Sequence, residues 1–395
     1  MNAHLSILKM KITASNIMLC FLLLMASIKI TEAHSVKRAK HVIIGSEPGK
    51  CFGWKANNCV WAWNGGQEIL VGYTYGDLVE KQGHNMIGGR HDMAMGLLNH
   101  LARSTDGGIT WTSEAPENFF GDGQSPVPSP GGIDFQAPNF AMRVVGAGYH
   151  AAFDGEGSFF VLNNRGKNWL GPYRFNGLLE DHNLKGKENT SRTGYLAMGS
   201  NSCLIFMSAR GENEGYLDKT FVAETTDGGE TFQFVSWVVP LTYPYRPVMP
   251  VAAKLKDGTI VVAIRRRNKS KVLSCVNVYC SKDNGRTWAF FSKVGETGKY
   301  NGNPPDLLVL KDGRIACIYG DRTTGKIFIR ISSDGGISWG KELFLRDDFQ
   351  TGSFGDMDFG CPSLVANHNY KLVPIYYWAT KENPEHHISA TICKL

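Results

Sequence analysis

An all-β chain folded as a six-bladed β-propeller is predicted by three features of the sequence. A short turn motif recurs five times at intervals of about 50 to 65 residues, β-rich runs lie between the copies, and helical periodicity is almost absent. The motif reads STDGGITW at residues 104–111, TTDGGETF at 225–232, SKDNGRTW at 281–288 and SSDGGISW at 332–339, with a decayed copy, LNNRGKNW, at 162–169. In this pattern an Asp can accept backbone N–H bonds inside a tight turn, and Gly can take the positive φ the turn needs. The Thr and Trp that follow start the next strand. Asp106, Asp227, Asp283 and Asp334 are therefore read as structural turn residues.

Each unit then follows in order. Runs such as VNVY at 276–279 and IFIR at 327–330 precede the motif, which places it at the tip of a hairpin. Further strands are expected at 68–72, 158–161, 203–206, 259–263, 315–318 and 372–376, three of them preceded by polar turns at 256–258, 311–313 and 367–369. That makes about four strands per unit. Five marked units and one unmarked unit holding both chain ends give six blades.

Residues 1–33 read as a signal peptide: Lys9 and Lys11, an apolar run from about Ile17 to Ile28, then a small-residue cleavage site near Ala33. The run is shorter than the ~20 residues a spanning helix needs, and no later segment is apolar enough to span. Residues 34–395 are expected as a single domain, secreted, periplasmic or otherwise extracellular. Loss of Cys20 leaves eight cysteines, an even number that admits disulfides or buried thiols. Asn189 and Asn268 head glycosylation acceptor patterns. A net charge of +6 without a run of five basic residues gives no footing for a nucleic-acid partner. No metal-ligand spacing or cofactor motif is present, so neither a metal nor a cofactor is expected.

The repeated S-x-D-x-G-x-T-W turns resemble the Asp boxes (BNR repeats) of the sialidase superfamily, and the resemblance runs from about residue 40 to the C-terminus. It implies a glycan or polysaccharide partner. It also implies a site in which three arginines hold a substrate carboxylate, an aspartate acts as acid/base, and a tyrosine assisted by a glutamate is the nucleophile. Planar guanidinium groups suit a carboxylate, and a neutral phenol avoids a second anion beside an acidic sugar.

On this sequence Asp92, in the loop GGRHD with Arg90 and His91 beside it, falls near the acid/base position. Arg265, at the end of a β-rich run, matches one arginine of the triad, and Arg246 is a further candidate around the anion. Other positions depart from the pattern. Lys55 stands where the first arginine is expected, Cys361 where the tyrosine is, and Met249 and Pro250 where the glutamate is. Asp358 is the best of the remaining carboxylates, ahead of Asp306 and Asp356. A tyrosine nucleophile would have to come from another strand, with Tyr376, Tyr377 and Tyr245 as candidates and Tyr376 placed in the catalytic set.

Three activities follow as expectations. The first is a glycoside hydrolase acting on sialic acid or a related acidic sugar. The second is a polysaccharide lyase, in which an arginine neutralises a uronate and His91, His84, His150 or a tyrosine abstracts a proton. The third is a carbohydrate-binding propeller without catalysis, which the departures at Lys55 and Cys361 favour.

Overall fold

Six antiparallel sheets follow one another along the chain, and from the second sheet round to the sixth and on to the first the innermost strands of successive sheets touch. The computed structural model describes residues 34–53, 60–79, 98–115, 125–145, 157–211, 218–267, 273–299, 302–351 and 357–395. Blade 1 pairs two short inner strands, Lys50–Gly53 and Val60–Trp63, with Glu68–Asp77, followed by Leu98–Ser104 and Thr112–Glu114. Blade 2 shows three strands, Ala141–Val145, Ser158–Leu162 and Leu170–Tyr173. Blade 3 runs Lys187–Ala197, Cys203–Gly211, Lys219–Thr225, Gln233–Trp237, and blade 4 runs Arg246–Lys254, Ile260–Arg267, Ser274–Ser281, Ala289–Gly298. Blade 5 comprises Asp306–Val309, Ile315–Asp321, Lys326–Ser332 and Leu343–Arg346.

Blade 6 closes the ring. Gly360–Ala366, Leu372–Trp378 and His387–Lys394 come from the C-terminus, and Lys37–Gly45 adds the outer strand with His41 opposite Thr391. This is the unmarked unit holding both chain ends. Ser35–Leu395 forms one compact unit, and no helix among the described residues is long and apolar enough to cross a membrane.

The repeat turns join the last two strands of the blades that carry them. In the first, the Asp106 carboxylate accepts bonds from Ser104 Oγ at 2.8 Å, Ile109 N at 3.0 Å, Thr110 N at 2.9 Å and Thr110 Oγ1 at 2.6 Å. Asp227, Asp283 and Asp334 repeat the arrangement. Serines on outer strands latch the next blade. Ser236 donates to the Gly285 carbonyl and accepts from Trp288 Nε1 at 3.0 Å, while Ser292 donates to Gly336 O and accepts from Trp339 Nε1 at 2.9 Å.

Strand direction puts these turns at the same end of each blade that carries one. The opposite end gathers the starts of the inner strands and the ends of the second strands. Inner strands kink there: the register slips between Val248 and Val251 in blade 4 and between Gly360 and Ser363 in blade 6. Met249 and Cys361 sit in these slips with φ of 58° and 43°, in the left-handed region that costs a side chain strain.

Five described cysteines, Cys203, Cys275, Cys280, Cys317 and Cys393, are buried free thiols. Asn189 is fully buried on its strand, so the first glycosylation pattern lies out of reach of modification in the folded chain.

Candidate functional site

Where blades 5 and 6 meet, at the end away from the repeat turns, a carboxylate, a phenol and a guanidinium converge. Asp358 precedes the inner strand of blade 6, Tyr377 lies near the end of its second strand, and Arg322 follows the second strand of blade 5. Tyr377 Oη donates to Asp358 Oδ1 at 2.7 Å. Arg322 Nη2 lies 3.0 Å from Tyr377 Oη, 3.2 Å from the Phe359 carbonyl and 3.5 Å from Asp358 Oδ1. His386 Nε2 sits 2.5 Å from the Asp358 carbonyl oxygen, and Asn303 Oδ1 accepts the Cys361 N–H at 3.0 Å. Phe359 anchors the turn from below by packing on Phe349 and Trp378.

The electrostatics follow from burial. Tyr377 is 1% exposed. Burial, then the negative charge of Asp358, pushes its pKa well above the ordinary phenol value against the pull of Arg322. The phenol is therefore protonated at neutral pH. Burial works against the charge of Arg322, but the oxygens of Tyr377 and Asp358 outweigh it and raise its pKa. Such a trio can bind a polar group, pass a proton from phenol to carboxylate, and steady the charge left on the phenol oxygen.

Of the sequence-derived candidates, Asp358 is at the centre of this cluster. Tyr376 is not brought to it. Neighbours on a strand face opposite ways, and Tyr376 points between blades 5 and 6, where its hydroxyl bonds Thr391 beside Arg346. Its neighbour Tyr377 takes the place beside Asp358. Arg246 is also elsewhere: it is buried in an ion pair of its Nε with Asp218, and Lys219 Nζ and Thr220 Oγ1 tie down the same stretch through Tyr245 O at 2.9 Å and Pro247 O at 2.9 Å. Its charge, at the start of the blade 4 inner strand, is met by Asp218.

Arg265 is buried on the strand Ile260–Arg267, while Arg266 stacks over Tyr245 at 4.5 Å. Asp306 Oδ2 accepts the Leu364 N–H at 2.8 Å, a link between inner strands. Lys55, Arg90, His91 and Asp92 lie outside the described residues, as do His84, His150 and Asp356. Among the described residues no group of His, Cys, Asp and Glu could hold a metal ion.

Sequence reasoning missed Arg322 and Asn303. Arg322 carries a signal close to the one that singled out Arg265, an arginine at the end of a β-rich second-strand run. Asn303 lies in the stretch GNPP at 302–305, but no role followed from it, because its meaning lies in a residue 58 positions away.

Comparison with known proteins agrees with this architecture. The BNR/Asp-box repeat profile matches residues 102–113. No curated protein shows significant sequence similarity to the chain. Among solved structures the chain is similar to a protein of unknown function from Dyadobacter fermentans, at 19% identity and a TM-score of 0.65, covering 91% of this chain and 100% of that one. It is also similar to an α-L-arabinanase of Penicillium chrysogenum complexed with arabinobiose (16%, TM-score 0.56, 89% and 97% covered). A third is the Hadza microbial sialidase Hz136 (16%, TM-score 0.56, 87% and 66% covered). At these identities the likeness is one of fold. With its repeat turns and six antiparallel blades, the chain is a six-bladed β-propeller carrying Asp-box (BNR) repeat turns.

Proposed function

We propose that the chain is an exported glycoside hydrolase that removes a terminal sugar bearing a carboxylate, sialic acid or a related acidic sugar, from a glycan. The observation that carries this reading is the Tyr377–Asp358–Arg322 cluster. In the proposed reaction Tyr377 Oη attacks the anomeric carbon as its proton passes to Asp358. Arg322 steadies the oxygen while it loses that proton. The bond from the anomeric carbon to the leaving oxygen breaks, and that oxygen takes a proton from Asp92, in the connection between strands Glu68–Asp77 and Leu98–Ser104. Water then attacks the same carbon, giving one proton to Asp92, while Tyr377 departs and recovers its own from Asp358. Arg265 and Arg90 are proposed partners of the sugar carboxylate, with Lys55 and His91 beside them.

A second reading, glycan binding without turnover, is favoured by the near-complete burial of Tyr377 and by Cys361 at the position where the resemblance expects the nucleophile. A neutral sugar is favoured by the pairing of Arg246 with Asp218, and the arabinanase neighbour makes an arabinoside the neutral substrate to try.

The test incubates purified protein with a fluorogenic sialoside, a fluorogenic α-L-arabinofuranoside and uronate-containing polysaccharides. Released fluorophore, reducing ends and absorbance from unsaturated sugar are followed. Release from the sialoside that disappears in Asp92→Asn supports the hydrolase. An unsaturated product makes it a lyase, and silence with measurable glycan affinity makes it a binding protein.

A further inference from the structure

The turn from Asp358 to Cys361 is tied down by four side chains from separate parts of the chain: Tyr377, His386, Arg322 and Asn303. Three of these can carry charge. Asn303 cannot, and it is fully buried. It reaches from the segment before the inner strand of blade 5 across to blade 6.

Its amide sits in a socket made by missing side chains. A Cβ on Gly360 would come within 2.2 Å of Asn303 Oδ1, and one on Gly320 within 2.6 Å of its Nδ2. Gly360 and Cys361 both have positive φ, 112° and 43°. Gly360 pairs with Tyr377 and Ser363 with Ile375, so three steps on the inner strand match two on its partner. One extra residue is therefore stored at the kink.

We propose that Asn303 is a positioning residue for the Asp358–Tyr377 pair, acting through the kinked backbone of Cys361; the inference rests on the reading of that pair as the reacting groups. The kink fixes where Asp358 stands along its neighbour strand. Without the Asn303 acceptor the buried Cys361 N–H loses this partner, and the strained turn relaxes by sliding into regular register. A slip of one residue moves the chain by about 3.3 Å and turns every side chain to the other face. Asp358 then leaves the phenol.

The test compares crystal structures and kinetics of the wild type, Asn303→Ala, Gly320→Ala, and a control, Met207→Ala, that damages the core of blade 3. The expected result is loss of the 2.7 Å Tyr377–Asp358 bond in Asn303→Ala, with a kcat lower by about tenfold or more and KM little changed. Gly320→Ala, which displaces the amide without removing it, moves the turn in the same direction. Met207→Ala loses stability and keeps its kcat. The proposal is overturned if Asn303→Ala retains the bond, or if its kcat falls no further than that of Met207→Ala. A wild-type protein that hydrolyses nothing removes the glycosidase reading, while the crystal structures still decide whether Asn303 sets the turn.

Discussion

Tyr376 and Tyr377 are adjacent on one strand, and the strand's alternation sends one to a packed seam between blades and the other to a carboxylate. A sequence places both tyrosines near the axis but does not say which face each takes, because the kink in the neighbouring strand sets the register. Asp358 was legible as a carboxylate just before an inner strand. Arg322 became legible only when the fold put its Nη2 within reach of Tyr377, Asp358 and a main-chain carbonyl at once. That geometry needs a planar fork on a long stem, so Arg322→Lys keeps a charge and loses the shared contacts. Its expected effect is a kcat lower by about tenfold to a hundredfold, read from initial rates on the released sugar; an unchanged kcat would take Arg322 out of the reaction.

At the scale of the element, the repeat turns were legible because the bonds to their aspartates all come from within eight residues. Burial alone would raise the Asp106 carboxyl, but bonds from Thr110, Ser104 and Ile109 together outweigh it and bring the carboxyl down to about 2. A carboxyl with a lowered pKa stabilises the fold above its ordinary value of 3.8, and that contribution is lost as pH falls toward 2. Asp106→Ala removes four bonds at once and is expected to cost about 1–2 kcal/mol, measured by urea unfolding at neutral pH. A loss within error would show that the turn holds without its aspartate. The inner-strand kinks at Met249 and Cys361 were not legible, since nothing local marks them: each stands where the resemblance expects a functional side chain, and the structure shows a left-handed backbone instead.

Over the whole molecule, six blades followed from five marked turns and one unmarked unit, and ring closure by Lys37–Gly45 on His387–Lys394 is how that unit is built. The closing seam carries a pH dependence. Burial, helped by the charges of Arg346 and His386, lowers His387 to about 4 despite its bond to the Glu385 carbonyl, and burial beside Arg346 lowers His41 as well. Between the ordinary value of 6.5 and about 4, the unfolded chain binds protons that the folded chain refuses. Stability from the seam is therefore complete above pH 6.5 and falls as pH drops toward 4, so Tm should decline over that window and decline less in His387→Gln. A flat Tm there would remove the seam as the acid-sensitive part. The central claim, that blades 5 and 6 bring together a reacting carboxylate and phenol, is tested most directly by the rate of sugar release in wild type and Asp358→Asn, with folding checked by Tm. A folded Asp358→Asn protein is expected to release no sugar. Release at the wild-type rate would contradict it.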